Sequence, residues 1–248
     1  MERRSHLAMK LETSEFGRLL ASGSGIETLM DDLGRAMAEG GASMRMLGGG
    51  NPAHIPAVEA VWRRCMSEIL ADGDSFERML GNYDPPRGNA RFLESLAFLL
   101  RENFGWDITP DHLAITAGGQ TAFFYLFNLL AGPMAKTKDR RILLPVVPEY
   151  IGYANQGVAP GVFTARHPTF QFPAAHRFKY GVDFAHLGLD ERIGAVCVSR
   201  PTNPTGNVLT DEEIRRLAAL CRERGIPLII DNAYGTPFPH IIFTEAKP

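Results

Sequence analysis

Cysteine is scarce, with three in 248 residues, at positions 65, 197 and 221. An odd number so widely spaced builds neither a disulfide frame nor a metal site, and points to reduced thiols in a cytoplasmic protein. An excess of charge of either sign is also missing. Lys+Arg is 26 and Asp+Glu is 28, a net charge of −2, so no basic face is offered to nucleic acid or to a membrane surface. Long apolar runs are lacking too. The longest, TAFFYLFNLLAG at 121–132, is too short to span a bilayer and carries Asn128. The first ten residues, MERRSHLAMK, have no apolar stretch of the kind a signal peptide needs. No internal repeat or low-complexity segment occurs. The rest is an ordinary globular composition, 45% hydrophobic and 22% charged, long enough for one large domain or two smaller ones.

The pattern changes along the chain. Residues 1–50 read as an N-terminal arm with a helix near 26–38, closing on the turn LGGGNP at 47–52. Helices are expected from about 55 to 71 and from about 90 to 103. The second has Phe92, Leu93, Leu96, Leu99 and Leu100 on one face and Gly105 as its stop. From residue 111, short apolar runs alternate with helical text. HLAIT (112–116), RILLPV (141–146), GVFTA (161–165), GAVCVS (194–199) and PLIID (227–231) are strand candidates. The TAFFYLFNLLA helix is apolar almost all round and is expected to be buried. A helix opens at Thr210, where Glu213 three residues on completes a capping box. Ile214, Leu217, Ala218 and Cys221 form its stripe and Gly225 ends it. Strands alternating with helices predict an α/β fold with a mostly parallel sheet.

Four of these strands run into unusual polar text: AGGQ, VPEYIGY, RPTNPTG and NAYG. In a parallel α/β sheet, ligands bind beyond the carboxyl ends of the strands, so the four turns are expected along one edge. Each also has an ordinary structural reading. AGGQ serves as a tight turn, Tyr150 as a partly buried aromatic, NPTG as a turn, and Asp231 as a helix cap or half of an ion pair. Together they fit one ligand with a phosphate, a flat ring, a protonated ring nitrogen and a ring oxygen. Gly118, Gly119 and Gln120 would offer backbone N–H groups to the phosphate. Tyr150 would cover the ring, Asp231 would meet the ring N–H⁺, and Asn203 and Tyr234 would serve the ring oxygen. Pyridoxal 5'-phosphate is that ligand, since its chemistry requires a carboxylate on the pyridinium nitrogen.

The stretches TAGGQTAFF, PEYIGY, SRPTNPTGNV and DNAYG, in this order, resemble the fold-type I, class I/II aminotransferases, and the resemblance runs from about Phe16 to Pro248. Longer wording, such as CVSRPTNPTGNVLTDEE, resembles a branch of that family acting on valine and pyruvate. The resemblance implies a three-layer large domain over 51–248, with 1–50 as an arm and part of a small domain, and a homodimer converting an amino acid and a 2-oxo acid. It also implies that Gly50 lies near the substrate carboxylate, a position where a plain turn glycine serves equally. Tyr83 in NYDPPRG would reach the phosphate of the neighbouring subunit, and Asp231 and Tyr234 would take part in catalysis.

One departure is large. The family's catalytic lysine follows the Asp-x-x-Tyr motif by some tens of residues in a Ser-x-Ser-Lys-like segment. The lysines here are Lys10, Lys136, Lys138, Lys179 and Lys247, none in such a segment. The arginine of the small domain that takes the substrate carboxylate is missing as well. The expectation is therefore an N-terminal portion, inactive alone, ending before the small domain. A β-eliminating enzyme of the same fold and a non-catalytic cofactor-binding or dimerising fragment are the rival readings.

Overall fold

A computed structural model of the chain describes residues 12–23, 25–41, 45 and 54–235. They divide into two bodies, one of Met1–Thr28 with Ala117–Pro248 and one of Leu29–Thr116. Helix α1 (Glu15–Leu20) and the start of α2 (Gly25–Glu39) belong to the first.

The Leu29–Thr116 body is helical. It holds the rest of α2, then α3 (Pro56–Ala71), α4 (Ser75–Gly81) and α5 (Ala90–Phe104). Proline at the first position of α3 costs no hydrogen bond, because that N–H has no partner within a helix. Asn89 caps α5 by accepting from the N–H of Phe92, and Gly105 ends it in the left-handed conformation. Leu93 and Ala97 are its buried residues. The expected strand at 112–116 does not form. Residues Pro110–His112 make one 3-10 turn, and Leu113 is extended with no strand paired to it among the described residues. An apolar run gives extended backbone, but a strand also needs a neighbour for its N–H and C=O groups.

The other body is built on a parallel sheet. Its strands are β1 (Arg141–Leu144), β2 (Phe163–Ala165), β5 (Ile193–Ser199) and β6 (Leu228–Asp231), in the order β2-β1-β5-β6. All three pairings are parallel, with Val196 opposite Leu228 and Ser199 opposite Asp231. Between β2 and β5 lies an antiparallel hairpin, β3 (Thr169–Ala174) and β4 (Arg177–Gly181). All seven residues of β5 are buried, as a central parallel strand covered on both faces requires. Alternate side chains serve opposite layers. On one face Leu143, Val196 and Val198 pack with Leu217 and Cys221 of α7 (Asp211–Arg224). On the other Ile142, Ala195 and Cys197 pack with Phe127 and Ala131 at the end of α6 (Gly119–Leu130). The result is the expected three-layer α/β arrangement.

Helix α6 corrects one expectation, that this nearly all-apolar helix is buried. Phe127 is its one buried residue, whereas Tyr125 and Leu129 are exposed. Its apolar surface covers the sheet on one side, and Tyr125, Leu126 and Leu129 on the other are exposed. The capping box at Thr210 and Glu213 forms as the sequence predicts, and Gly225 closes α7 with a φ of 64°.

Candidate active site

The sheet delivers the carboxyl ends of β1, β5 and β6 to one edge, and α6 begins at the same edge. A cavity of about 210 Å³ lies there, lined by Gly119, Gln120, Phe123, Tyr150, Ser199, Pro201, Asn203, Asp231, Ala233 and Tyr234. Six of the expected site residues are thus brought together: Gly119, Gln120, Tyr150, Asn203, Asp231 and Tyr234. Gly118 stands just behind as the N-cap of α6, at a φ of 104° that favours glycine. Tyr83 belongs to the Leu29–Thr116 body and is fully exposed. Gly50 lies outside the described residues. The expected row of four turns is met by three strand ends and one helix start, because the segment before AGGQ is no strand.

Asp231 ends β6 and is half-buried. Its Oδ2 accepts from the Tyr153 hydroxyl at 2.6 Å and its Oδ1 from the Ala233 N–H at 3.0 Å. Two donors on two oxygens fix the plane of the carboxylate and leave further lone pairs for a ligand. Burial raises the Tyr153 pKa, and the charges of Asp231 and Glu149 add to the rise, so the phenol stays neutral.

A second carboxylate sits beneath. Glu149 Oε1 accepts from the Ser199 N–H at 2.7 Å, and its Oε2 accepts from the Ser199 hydroxyl at 2.6 Å and the Tyr150 N–H at 2.9 Å. It ties the exit of β1 to the end of β5. Burial raises the Glu149 pKa, the Ser199 and Tyr150 donors recover only part of that rise, and the nearby Asp231 charge adds to it. Gln120 Nε2 donates to the Gly152 carbonyl at 3.3 Å. A Cβ at Gly152 would overlap the Tyr150 ring and the Gln120 amide, so only glycine lets these two pocket residues lie where they do. The Val147–Pro148, Arg200–Pro201 and Asn203–Pro204 bonds are all cis.

Glu149, Gly152, Tyr153 and Ser199 were not among the residues singled out from the sequence. Glu149 did carry a signal, since a carboxylate at the exit of a buried strand needs donors. Tyr153 carried none. Its partner lies 78 residues further along the chain.

The model of the aminotransferase class I and II family matches residues 57–240. The chain belongs to the aminotransferase class I and II family. The valine–pyruvate aminotransferase of Escherichia coli K12 is 49% identical over 235 residues, which cover 95% of this chain and 56% of that protein. Among solved structures, a putative amino-acid aminotransferase from Psychrobacter arcticum 273-4 superposes with a TM-score of 0.85 at 42% identity. It covers 96% of this chain and 58% of that one. The valine–pyruvate aminotransferase of Salmonella typhimurium LT2 does so with a TM-score of 0.73 at 48% identity, over 90% and 53%. An aspartate aminotransferase from Thermotoga maritima, at 22% identity and a TM-score of 0.65, shares the fold. The chain therefore spans little more than half the length of these aminotransferases.

The donor set fits the family's cofactor. The first turn of α6, the Tyr150 ring and the Asp231 carboxylate all line the cavity, offering N–H groups, an aromatic face and an acceptor. Among the described residues no lysine lines the cavity. Lys138 pairs with Glu191, and Lys179 donates to Glu213 at 2.9 Å.

Proposed function

We propose that the cavity holds pyridoxal 5'-phosphate and that this chain is the cofactor-binding portion of an aminotransferase exchanging the amino group between L-valine and pyruvate. The products are 3-methyl-2-oxobutanoate and L-alanine. The observation that carries the reading is the aim of Asp231. A carboxylate held by two donors at the end of β6 lines the same cavity as the first residues of α6. The substrate pair rests on the names of the Escherichia coli and Salmonella typhimurium relatives.

The bound cofactor supplies an electron sink for the carbanion left when an amino acid loses its α-proton. The residues of this chain hold and tune it. The N–H groups of Gly119 and Gln120 take the phosphate, with Gly118 setting the turn. Tyr150 lies against the ring and excludes water from one face. Asp231 keeps the ring nitrogen protonated, and Asn203 and Tyr234 donate to the ring oxygen, favouring its ionised form. Gly50 approaches the substrate carboxylate. The assembly is a homodimer in which Tyr83 reaches the neighbouring subunit's phosphate. The setting is the cytoplasm, in keeping with three unpaired cysteines. A lysine that would engage the aldehyde and take up the α-proton is not among the described residues lining the cavity.

Joining the chain to the C-terminal part of its Escherichia coli relative tests the reading. The joined protein should form alanine from valine and pyruvate, and should not cleave a cysteine conjugate. The 248-residue chain, incubated with the cofactor and reduced with borohydride, should show no stoichiometric adduct at Lys136, Lys138 or Lys179 by mass spectrometry. Failure of the joined protein on valine, or a stoichiometric adduct at one of those lysines, contradicts the reading.

A further inference from the structure

Tyr153 lies outside the cavity lining and does not touch the space a ligand would fill. It stands one layer down, in a 3-10 turn (Ile151–Tyr153) after β1, and is 2% exposed. Its ring is held on several sides. Phe123 lies 4.9 Å away between centroids, and Phe127 and Tyr150 lie edge-on at 5.4 Å each. This packing needs only a phenyl ring. The hydroxyl is a buried polar group, and it donates to Asp231 Oδ2 at 2.6 Å. The Cys197 thiol lies beside the same Tyr153 hydroxyl.

We propose that Tyr153 is a positioning residue for the ring-nitrogen contact: it fixes the rotation of the Asp231 carboxylate so that a free lone pair meets the N–H⁺ of a bound pyridinium. The inference rests on the cofactor reading above. Asp231 ends β6, which among the described residues pairs with β5 and with no other strand. The Ala233 N–H holds Oδ1 from within the following turn, a local contact that moves with that turn. Tyr153 is the tie to a different part of the fold. It is anchored in the cluster of Phe127, Ile142 and Cys197 beneath the sheet. Without the hydroxyl, the carboxylate keeps one local donor and gains freedom to rotate. Binding must then freeze that rotation, and the ring-nitrogen contact weakens.

A ligand pair separates this role from a general packing role. Pyridoxal 5'-phosphate and its analogue with carbon in place of the ring nitrogen share the phosphate, ring and aldehyde, and differ only at the atom that faces Asp231. The ratio of their dissociation constants isolates that one contact. The unsubstituted 248-residue protein should prefer the nitrogen form by at least about tenfold, the size of one hydrogen bond between charged partners. Tyr153→Phe keeps the ring packing and should lose most of that preference, with little change in affinity for the carbon analogue. Placed in an Asp231→Ala background, Tyr153→Phe should change the ratio no further, since the hydroxyl then has nothing to position. Circular dichroism confirms that each variant is folded.

The outcomes are distinct. If the unsubstituted protein binds neither ligand, the cofactor reading falls and the inference with it. If it binds both equally, Asp231 does not meet the ring nitrogen, and Tyr153 positions nothing. If Tyr153→Phe keeps the preference, or weakens both ligands alike, the reading stands and the positioning role is overturned.

Discussion

At the scale of single residues, the site depends on atoms that are absent as much as on those present. Gly152 has no Cβ, and the space where one would stand is filled by the Tyr150 ring and the Gln120 amide. Gly152→Ala should therefore displace both pocket residues at once. Affinity for pyridoxal 5'-phosphate, followed by fluorescence titration, should fall at least tenfold. The helix content of the protein should not change, because the clash sits in a turn and not in a packed layer. Unchanged affinity would show that Tyr150 and Gln120 do not form part of the binding surface. The two kinds of site residue were unequally visible in the sequence. Asp231 announced itself, since an apolar run ending on a carboxylate demands a partner. Gly152 and Tyr153 are ordinary letters in a tyrosine-rich segment. What makes them matter is a contact with Gln120, 32 residues before, or with Asp231, 78 residues after. No local pattern encodes such pairs.

At the scale of elements, Glu213 joins two of them, α7 and β4. It is the capping-box residue of α7, and its Oε2 accepts from the Thr210 N–H at 2.8 Å and from Lys179 of β4 at 2.9 Å. Its Oε1 accepts from the Val182 N–H just beyond β4 at 3.1 Å. Burial alone would raise its pKa, but the Thr210 N–H, Lys179 and the Val182 N–H together hold it below the ordinary 4.5. A carboxylate with a depressed folded-state pKa stabilises the fold at pH above its unfolded value, and that stability is lost as pH falls through the folded one. Glu213→Gln should lower stability near pH 7 by about 1–3 kcal/mol. The deficit should shrink toward zero as melting temperatures are followed from pH 6 down to pH 3. A deficit constant across that range would mean that shape, and not charge, explains the residue.

The capping box was legible because its two members lie three residues apart and signal locally. The β3–β4 hairpin was not. Every residue of β3 is exposed, and Pro173 interrupts it, so no inward-outward alternation marks it as a strand. The HLAIT segment failed in the opposite direction. Its apolar text is as strand-like as that of β6, but strand formation depends on a neighbour that the text itself cannot supply.

At the scale of the whole molecule, the parallel sheet buries two of the three cysteines, Cys197 in β5 and Cys221 in α7, and leaves Cys65 in α3 partly accessible. Burial pushes the Cys197 thiol well up, helped by the Glu149 charge, and pushes Cys221 up to about 11. Thiolate is the reactive form, so both should be inert in the folded protein. A thiol-specific chromophoric reagent at pH 8 should therefore label Cys65 alone in native protein and all three cysteines in denaturant. Rapid native labelling of Cys197 would mean that the central strand is not covered on both faces.

The larger feature is convergence. Two separate strand exits, the turn after a third and the start of one helix bring Gln120, Tyr150, Asn203 and Asp231 to a single cavity, although they span more than 100 residues of sequence. A crystal structure of the chain with pyridoxal 5'-phosphate tests that assembly most directly. The account predicts the phosphate on the N–H groups of Gly119 and Gln120, the ring against Tyr150, and the ring nitrogen within about 3 Å of an Asp231 oxygen. A cofactor bound elsewhere, or seated with its ring nitrogen turned away from Asp231, would contradict it.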